Sequence, residues 1–179
     1  MDIYSERLLL SKVSTDDLDL ICKIECDKDL WYFEENVQSD EVVVRKKYID
    51  KIGNKEKVRS YDFLIYMLVE GDKTPIGLVQ IWSYIEYRKS WEIGFAILPE
   101  YRGQEYGSEA AKLLLQFAFD ELGAHKVVGM CNSMNKSSAT LMERIGMTKE
   151  AVFKEELFWR NQWTDQYNYS ILEKEFALS

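Results

Sequence analysis

Residues 90–111 carry the side chains whose types and spacing most clearly suggest chemistry. The apolar first part predicts a buried strand that turns at Pro99, followed by a loop with Arg102, Gly103 and Gly107 and then a helix. Backbone N–H groups at a helix start point outward, and the helix dipole adds about half a positive charge there. The segment therefore predicts a binding site for a phosphorylated cofactor.

The spacing of this loop matches neither the Walker motif, which ends in Gly-Lys-Ser/Thr, nor the dinucleotide motif Gly-x-Gly-x-x-Gly. It resembles the acetyl-CoA loop of the GNAT N-acetyltransferase superfamily, Gln/Arg-x-x-Gly-x-Gly/Ala, with Arg102 first and Gly107 last. Glu105 stands at the middle glycine of that motif, so either its side chain turns to solvent or cofactor affinity is reduced. The resemblance implies acetyl-CoA as acyl donor, in contact with Phe95, Ala96, Ile97, Arg102, Gly103, Gln104, Glu105, Tyr106, Gly107 and Ser108.

A second segment, residues 135–147, resembles another motif of the same family, Asn-x-x-Ser-x-x-Leu-x-x-Arg/Lys-x-Gly-Phe. The matching residues are Asn135, Ser138, Leu141, Arg144 and Gly146. Read locally, the segment is an N-cap asparagine followed by an amphipathic helix, and the two interpretations are compatible. The resemblance implies cofactor contacts from Asn132, Asn135, Ser138 and Arg144, with Asn135 and Ser138 on the pantetheine side.

Glu92, on the strand before the loop, is the candidate general base for acetyl transfer, acting directly or through a water. Transfer from a thioester to an amine requires that the amine lose a proton, that the carbonyl be polarised and that the thiolate leave. The apolar neighbours of Glu92 predict a raised pKa, which suits a base near neutral pH, and the family often has its base at this strand position. The alternative is a strand-edge carboxylate that faces water. In the family, backbone N–H groups of this strand, here Phe95 to Ile97, polarise the carbonyl.

The group that protonates the leaving thiolate stays open, because Met142 stands where many family members have a tyrosine. Ser138 is one candidate for this catalytic role, and a water or another tyrosine such as Tyr106 is another. The acid is also dispensable in principle, since a thiolate is a tolerable leaving group.

A cluster of aromatic and acidic residues predicts the acceptor site: Trp31, Tyr32, Phe33, Glu34 and Glu35. Aromatic rings beside carboxylates suit an ammonium group through cation–π contacts and ion pairing. The cluster is similar to the Trp-Phe-Glu-Glu region of spermidine acetyltransferases, and residues 156–172 are similar to the RimJ/RimL-type branch, which acetylates protein N-termini and small amines. The alternative is core packing of the aromatic rings beside an acidic helix start.

Composition limits the classes of binding partner expected for this chain of 179 residues, which carries a formal net charge of −8. That charge argues against nucleic acid as a partner and suits a cationic substrate, and plain solubility explains the same charge about as well. The N-terminus lacks the features of a signal peptide, and no segment approaches the ~20 apolar residues of a membrane span. Three cysteines and one histidine indicate a reducing cytoplasm and no metal site. A homo-oligomer is possible.

The order of predicted elements is β-α-α-β-β-β-α-β-α-β-β, an α+β fold with a mostly antiparallel central sheet, in one domain over residues 1–179. Predicted strands cover 7–13, 61–70, 76–83, 91–98, 126–131, 147–157 and 163–172, and predicted helices cover about 14–27, 39–52, 108–122 and 135–145. The GNAT resemblance implies the same order.

The sequence thus predicts an N-acetyltransferase that moves acetyl from acetyl-CoA directly to a primary amine. The acceptor is a polyamine, another cationic small molecule or a protein N-terminal amine. One alternative is a catalytically weak or inactive module of the same fold that senses CoA or an amine, which Glu105 and Met142 favour. A second alternative is an enzyme that uses a different acyl-CoA.

Overall fold

An eight-stranded sheet forms the centre of the computed structural model, which describes residues 1–54 and 59–177. Its strands are β1 (Asp2–Tyr4), β2 (Leu8–Lys12), β3 (Ser60–Val69), β4 (Asp72–Ile85), β5 (Ser90–Ile97), β6 (Lys126–Asn132), β7 (Thr148–Trp159) and β8 (Gln162–Leu172). The helices are α1 (Leu18–Glu25), α2 (Glu41–Gly53), α3 (Tyr106–Asp120), α4 (Lys136–Arg144) and α5 (Glu173–Phe176). The strand order in the sheet is β1-β2-β3-β4-β5-β6-β8-β7.

This architecture confirms the predicted α+β fold, with three differences in the elements. The short strand β1 and helix α5 have no predicted counterpart, since neither carries enough apolar residues for a periodic signal. Strand β4 begins at Asp72, inside the stretch predicted as a loop, because a register shift opposite Ile65 and Tyr66 accommodates Pro75 in the ladder. Residues 15–17 form a separate 3₁₀ turn before α1.

Helices pack on both faces of the sheet because the strands alternate their side chains. On β3, Phe63 and Ile65 lie in the core cluster that contains α3 and α4, whereas Leu64 between them lies in the cluster that contains α1 and α2. All three side chains are fully buried. The result is a helix–sheet–helix arrangement in which each layer has its own apolar core.

Strands β5 and β6 separate halfway along their length, and this gap positions the candidate site. They form the only parallel pair of the described sheet, and their register covers just residues 90–92 of β5 against 126–128 of β6. Beyond these pairs, residues 93–97 and 129–132 continue as strands without pairing to each other. Helix α3 connects the two strands, so its start lies near the end of β5.

Candidate active site

The open side of β5 presents backbone groups to the gap. The Leu98 N–H donates to Ile76 O at 2.9 Å, on the β4 side. Because backbone groups alternate along a strand, the N–H groups of Phe95 and Ile97 face the gap, whereas that of Ala96 faces β4. Arg102 approaches from the gap side, where its Nε donates to Ile97 O at 2.9 Å. Two of the three N–H groups named from the sequence therefore remain available to a ligand in the gap.

The start of α3 provides a second set of donors. Glu109 N donates to Glu105 O at 3.0 Å, so the N–H groups of Tyr106, Gly107 and Ser108 precede the first intrahelical donor and have no intrahelical acceptor. In the described structure no side chain bonds to this helix start as a cap. Free N–H groups and the helix dipole together favour an anion here.

Gly107 allows the helix start to approach the neighbouring elements closely. A Cβ atom at this position would lie 2.9 Å from Leu141 Cδ1 on α4 and 3.3 Å from Ile97 Cγ1 on β5. A larger residue would therefore require the Leu141 side chain to move. The glycine lets the helix start pack closely against Leu141 and Ile97.

Glu105 lies at the helix start in a left-handed backbone conformation, with φ +66° and ψ 4°. Glycine adopts this region without a steric cost, and other residues pay about 1 kcal/mol. The carboxylate of Glu105 is 69% exposed and lies 3.3 Å from the Arg144 guanidinium. The sequence-predicted cofactor contact Arg144 is thus engaged by the residue that replaces the family's glycine.

Some of the other residues predicted to contact the cofactor form contacts outside the gap. The Tyr106 hydroxyl donates to Met67 Sδ at 3.2 Å, away from the gap, and the Arg7 guanidinium lies 4.9 Å from its ring. The carbonyl of Gln104 accepts from Arg7 Nη1 at 3.3 Å, and the Gln104 side chain does not line the gap. Tyr106 is therefore not placed to protonate a leaving group between β5 and α4. Gly103 lies on the wall of the gap with φ +77°.

Two cavities meet at the gap. The phosphate-side cavity, about 600 Å³, is bordered by the start of α3, by α4 and by Phe95, Ala96 and Ile97 of β5. The acidic cavity, about 410 Å³, is bordered by four carboxylates, those of Glu25, Glu34, Glu35 and Glu92, and by the rings of Trp31, Phe33 and Trp82. Phe95, Asn135 and Ser138 line both. A donor in one cavity and an acceptor in the other would meet at these shared residues.

The Glu92 carboxylate lies in the wall of the acidic cavity, half-buried. Its Oε2 accepts a hydrogen bond from Trp82 Nε1 at 3.1 Å. Burial raises the pKa of Glu92, the Trp82 bond opposes this rise, and the nearby Glu34 carboxylate adds to it. Burial, and then Glu35, likewise raise the pKa of Glu34. The geometry does not match the open strand-edge alternative, because Glu92 faces a protein-lined cavity.

The acidic and aromatic loop at residues 31–35 is held by the tip of the β7–β8 hairpin. Trp159 Nε1 donates to Tyr32 O at 2.8 Å, and the Arg160 guanidinium lies 3.8 Å from the centre of the Tyr32 ring. The Phe158 N–H donates to Glu35 Oε1 at 2.7 Å. Tyr32 is exposed and borders the phosphate-side cavity. Phe33 borders both cavities, and the other members of the cluster, Trp31, Glu34 and Glu35, border the acidic one.

Three residues of the acidic cavity were missed by sequence reasoning: Glu25, Gln80 and Trp82. Glu25 ends α1, and its Oε1 accepts from Tyr48 Oη at 2.7 Å and from Gln80 Nε2 at 3.1 Å. Gln80 and Trp82 are two residues apart, so their side chains lie on the same face of β4. The strand register places Trp82 opposite Glu92. The alternation along β4 could have suggested that face, but no local motif indicates Glu25.

The residues at the head of α4 line the junction of the cavities. Asn135 Oδ1 accepts from Ser138 N at 3.1 Å, the N-cap bond that the sequence predicts. Asn132 is buried, its Oδ1 accepts from Met134 N at 2.9 Å, and among the described residues its Nδ2 has no partner. Met142 is buried and lacks a transferable proton, which leaves Ser138 as the hydroxyl at the junction.

The described ranges 1–54 and 59–177 contain no group of three or more His, Cys, Asp or Glu side chains arranged to hold a metal ion. They also contain no helix long and apolar enough to cross a bilayer.

Comparison with known proteins places this geometry among acetyltransferases. The family described as Acetyltransferase (GNAT) domain matches residues 7–148. The uncharacterized N-acetyltransferase YnaD of Bacillus subtilis is 29% identical over 177 residues, which is 98% of this chain and 99% of that protein. The crystal structure of a GNAT-family acetyltransferase from Bacillus anthracis is 30% identical, with a TM-score of 0.82 over 98% of this chain and 100% of that one.

A second similar structure was determined with ligands. It is spermidine N-acetyltransferase from Vibrio cholerae in complex with CoA and spermine, which is 22% identical to this chain. The TM-score is 0.82, over 97% of this chain and 99% of that one, so the two proteins share a fold.

Proposed function

Because the chain belongs to the GNAT acetyltransferase family, which uses acetyl-CoA as its donor, we propose that it transfers acetyl directly to a primary amine bound in the acidic cavity. The observation that carries the proposal is the meeting of the two cavities at Phe95 and Ser138. One cavity offers donors for an anion, and the other offers carboxylates for a cation.

The phosphate-side cavity fits acetyl-CoA, which supplies the acetyl group as a thioester. The free N–H groups of residues 106–108 would donate to phosphate oxygens. Because Gly107 has no side chain, the backbone there stays accessible to them. The N–H groups of Phe95 and Ile97 would donate to carbonyl oxygens in the gap. Asn132, Asn135 and Ser138 border the same junction, and the unpartnered Nδ2 of Asn132 is a further donor there.

The acidic cavity suits an ammonium group. Among the described residues, no lysine, arginine or histidine lines it. Glu25 pairs with Lys47 at 3.9 Å outside this lining, which leaves the other three carboxylates without a cation of the described cavity wall. The rings of Trp31, Phe33 and Trp82 add surfaces for cation–π contact. We therefore favour a polyamine or another cationic small molecule as acceptor, in line with the spermine bound by the Vibrio cholerae protein of the same fold.

Glu92 is proposed as the general base, directly or through a water. A carboxylate whose pKa is raised by burial accepts a proton more readily near neutral pH than an ordinary glutamate does. The acceptor's ammonium group would lose its proton to Glu92, and the neutral amine would then attack the carbonyl carbon. The C–S bond then breaks, and Ser138 is the proposed proton donor to the departing sulfur, because its hydroxyl borders both cavities and Met142 has no proton to give. Ser138 would regain a proton from the cationic nitrogen of the new amide.

Binding of acetyl-CoA should stabilise the fold. A ligand present at about 100 times its Kd adds about 2.7 kcal/mol to the free energy of unfolding. Thermal melts should therefore shift upward with acetyl-CoA and not with the same concentration of acetate. A melting temperature unaffected by saturating acetyl-CoA would contradict the assignment of the phosphate-side cavity.

The Glu105→Gly variant tests how a glutamate at the family's glycine position affects stability and acetyl-CoA affinity. Removing a left-handed non-glycine residue should raise stability by about 1 kcal/mol. It should also tighten acetyl-CoA binding severalfold, because Arg144 is released and a negative charge leaves the phosphate site. Isothermal titration calorimetry measures the affinity, and urea unfolding measures the stability.

The Glu105→Gln variant is the matched control, since it removes the charge and keeps the strained backbone. It should tighten binding without raising stability. Weaker acetyl-CoA binding in both variants would mean that the Glu105–Arg144 pair supports the bound state.

A CoA-release assay against polyamines, aminoglycosides and short peptides tests the reaction itself. Release with polyamines supports a small cationic acceptor, and release with peptides alone supports a protein N-terminal amine. Acetyl-CoA binding without release for any amine would favour the alternative of an inactive sensor module.

Four further assignments rest on the sequence and belong to the same proposal. The C-terminal segment supports a RimJ/RimL-type branch within the family, and the net charge of −8 and the cysteine pattern support a cytoplasmic protein that acts without nucleic acid or membrane. A single domain over 1–179 agrees with the full-length relationship to YnaD. A homo-oligomer is proposed as possible, and size-exclusion chromatography with light scattering tests it.

A further inference from the structure

Trp82 and Glu92 form a cross-strand pair in the floor of the acidic cavity. The register of β4 and β5 places them directly opposite each other, and Trp82 Nε1 donates to Glu92 Oε2 at 3.1 Å. Among the described side chains, Trp82 is the only hydrogen-bond donor to this carboxylate. The indole N–H therefore decides where one of the two carboxylate oxygens points.

Gly94 leaves space for the Trp82 ring. A Cβ atom at position 94 would lie 3.2 Å from both Cη2 and Cζ3 of the indole, tighter than ordinary van der Waals contact. Gly94 is two residues after Glu92 on the same strand face, opposite Gln80. The absence of a side chain at 94 thus allows the ring to lie across β5 with its N–H directed at Glu92.

The other ionisable groups that border the cavity do not stabilise a charge on Glu92. They are Glu25 from α1, Glu34 and Glu35 from the loop before α2, and Cys131 from β6, and none of them carries a positive charge. Glu34 acts on Glu92 by like-charge repulsion. Burial works in the same direction, so the Trp82 bond is the one contribution that favours the ionised carboxylate.

From this geometry we infer that Trp82 is a positioning residue for the transfer reaction: its indole N–H holds the Glu92 carboxylate in the orientation from which it serves the junction of the two cavities. The inference rests on the proposed function, in which Glu92 accepts the acceptor's proton. Trp82 itself exchanges no proton. Its effect passes through Glu92, so the effect must disappear when Glu92 no longer titrates.

The Trp82→Phe variant removes the donor and keeps an aromatic ring above Gly94. Loss of a hydrogen bond to the ionised form raises the pKa of Glu92, so less carboxylate is ionised at neutral pH. We expect the acid limb of the kcat/KM profile to move to higher pH, so that activity at a given pH on that limb falls about tenfold. At high pH most of this loss should be recovered, while the KM for acetyl-CoA stays unchanged.

A direct titration supplies a readout that does not depend on turnover. The ¹³C signal of the Glu92 side-chain carboxyl, identified by its disappearance in Glu92→Gln, is followed against pH in the free protein. The midpoint should lie higher in Trp82→Phe than in the wild type. Trp163→Phe is the matched control, because Trp163 is 60% exposed and lines neither cavity, so the same substitution there should change neither midpoint nor profile.

The outcomes separate the inference from the proposed function. A uniform loss of activity at every pH, with the Glu92 midpoint unmoved, would mean that Trp82 only supports packing, and would overturn the inference. An unchanged profile in Trp82→Phe would overturn it as well. If Glu92→Gln itself keeps wild-type turnover, the proposed base fails, and the carboxyl titration still reports whether Trp82 controls the ionisation of Glu92.

Discussion

Replacing Glu92 by glutamine is expected to lower kcat near neutral pH by about 10²–10⁴-fold, the usual contribution of a general base. Glutamine keeps the shape of the side chain and can still accept a hydrogen bond from Trp82, but it cannot take a proton from the amine. The affinity for acetyl-CoA should change little, because Glu92 lines the acidic cavity and not the phosphate-side cavity. Steady-state kinetics with the best acceptor of the panel gives both quantities.

The pH dependence of kcat in this variant tests the direction of the effect that a general base predicts. In the wild type, activity should rise as pH rises through the pKa of Glu92, which burial holds above the ordinary value for a glutamate. In Glu92→Gln that limb should be absent, and raising the pH should restore part of the turnover because more of the acceptor amine is already neutral.

Glu34→Gln is the control for this experiment, because it removes a carboxylate of the same cavity without touching Glu92. It should raise the KM for the acceptor more than it lowers kcat, and it should lower the pKa of Glu92 by removing a like charge. Wild-type turnover of Glu92→Gln across about pH 6 to 9 would remove Glu92 from the mechanism. The base would then be sought among Glu34 and Glu35.

Replacing Lys51 by methionine is expected to lower the free energy of unfolding by about 3 kcal/mol, because it leaves a buried charge without its partner. Lys51 Nζ lies 3.0 Å from Asp62 Oδ2, and the Asp62 side chain is only 9% exposed. Gln80 Nε2 also donates to Asp62, at 2.7 Å. Urea unfolding at constant m-value measures the loss.

Lys47→Met is the matched control on the same helix. The Lys47 side chain is 52% exposed, and its Nζ is 3.9 Å from Glu25, so its loss should cost less than about 1 kcal/mol. Equal stability losses in the two variants would contradict the buried-pair interpretation. The comparison also bears on the site, because Gln80 joins Asp62 to Glu25 at the edge of the acidic cavity.

The donor side of the site was predictable because its signals are local. A glycine-bearing loop followed by an apolar helical pattern predicts the start of α3, and an asparagine three residues before Ser138 predicts the cap of α4; the structure has both elements. The sequence also shows that a glutamate, Glu105, stands where the family motif has its middle glycine. It does not show that this residue is left-handed or that it contacts Arg144, which lies 39 positions away.

The acceptor side was predictable only in part because its contacts are long-range. The aromatic and acidic loop at 31–35 is visible as a cluster, but its attachment to Trp159 and Arg160 joins residues more than a hundred positions apart. Glu25 looks like an ordinary polar residue at a helix end, and only the folded chain brings it to Gln80. Strand β1, three residues long, has no periodicity to detect.

The two cavities draw their walls from different parts of the chain, and this division bears on how such a protein diverges. Apart from residues 29–33, the phosphate-side cavity is built by the continuous region 95–144. The acidic cavity adds segments from both ends of the chain, around 25–38 and 157–166. Substitutions at residues 34–38 and in the hairpin, which border only the acidic cavity, can therefore alter acceptor preference while the donor site stays unchanged. A lineage with this fold can adopt a new amine without rebuilding its use of acetyl-CoA.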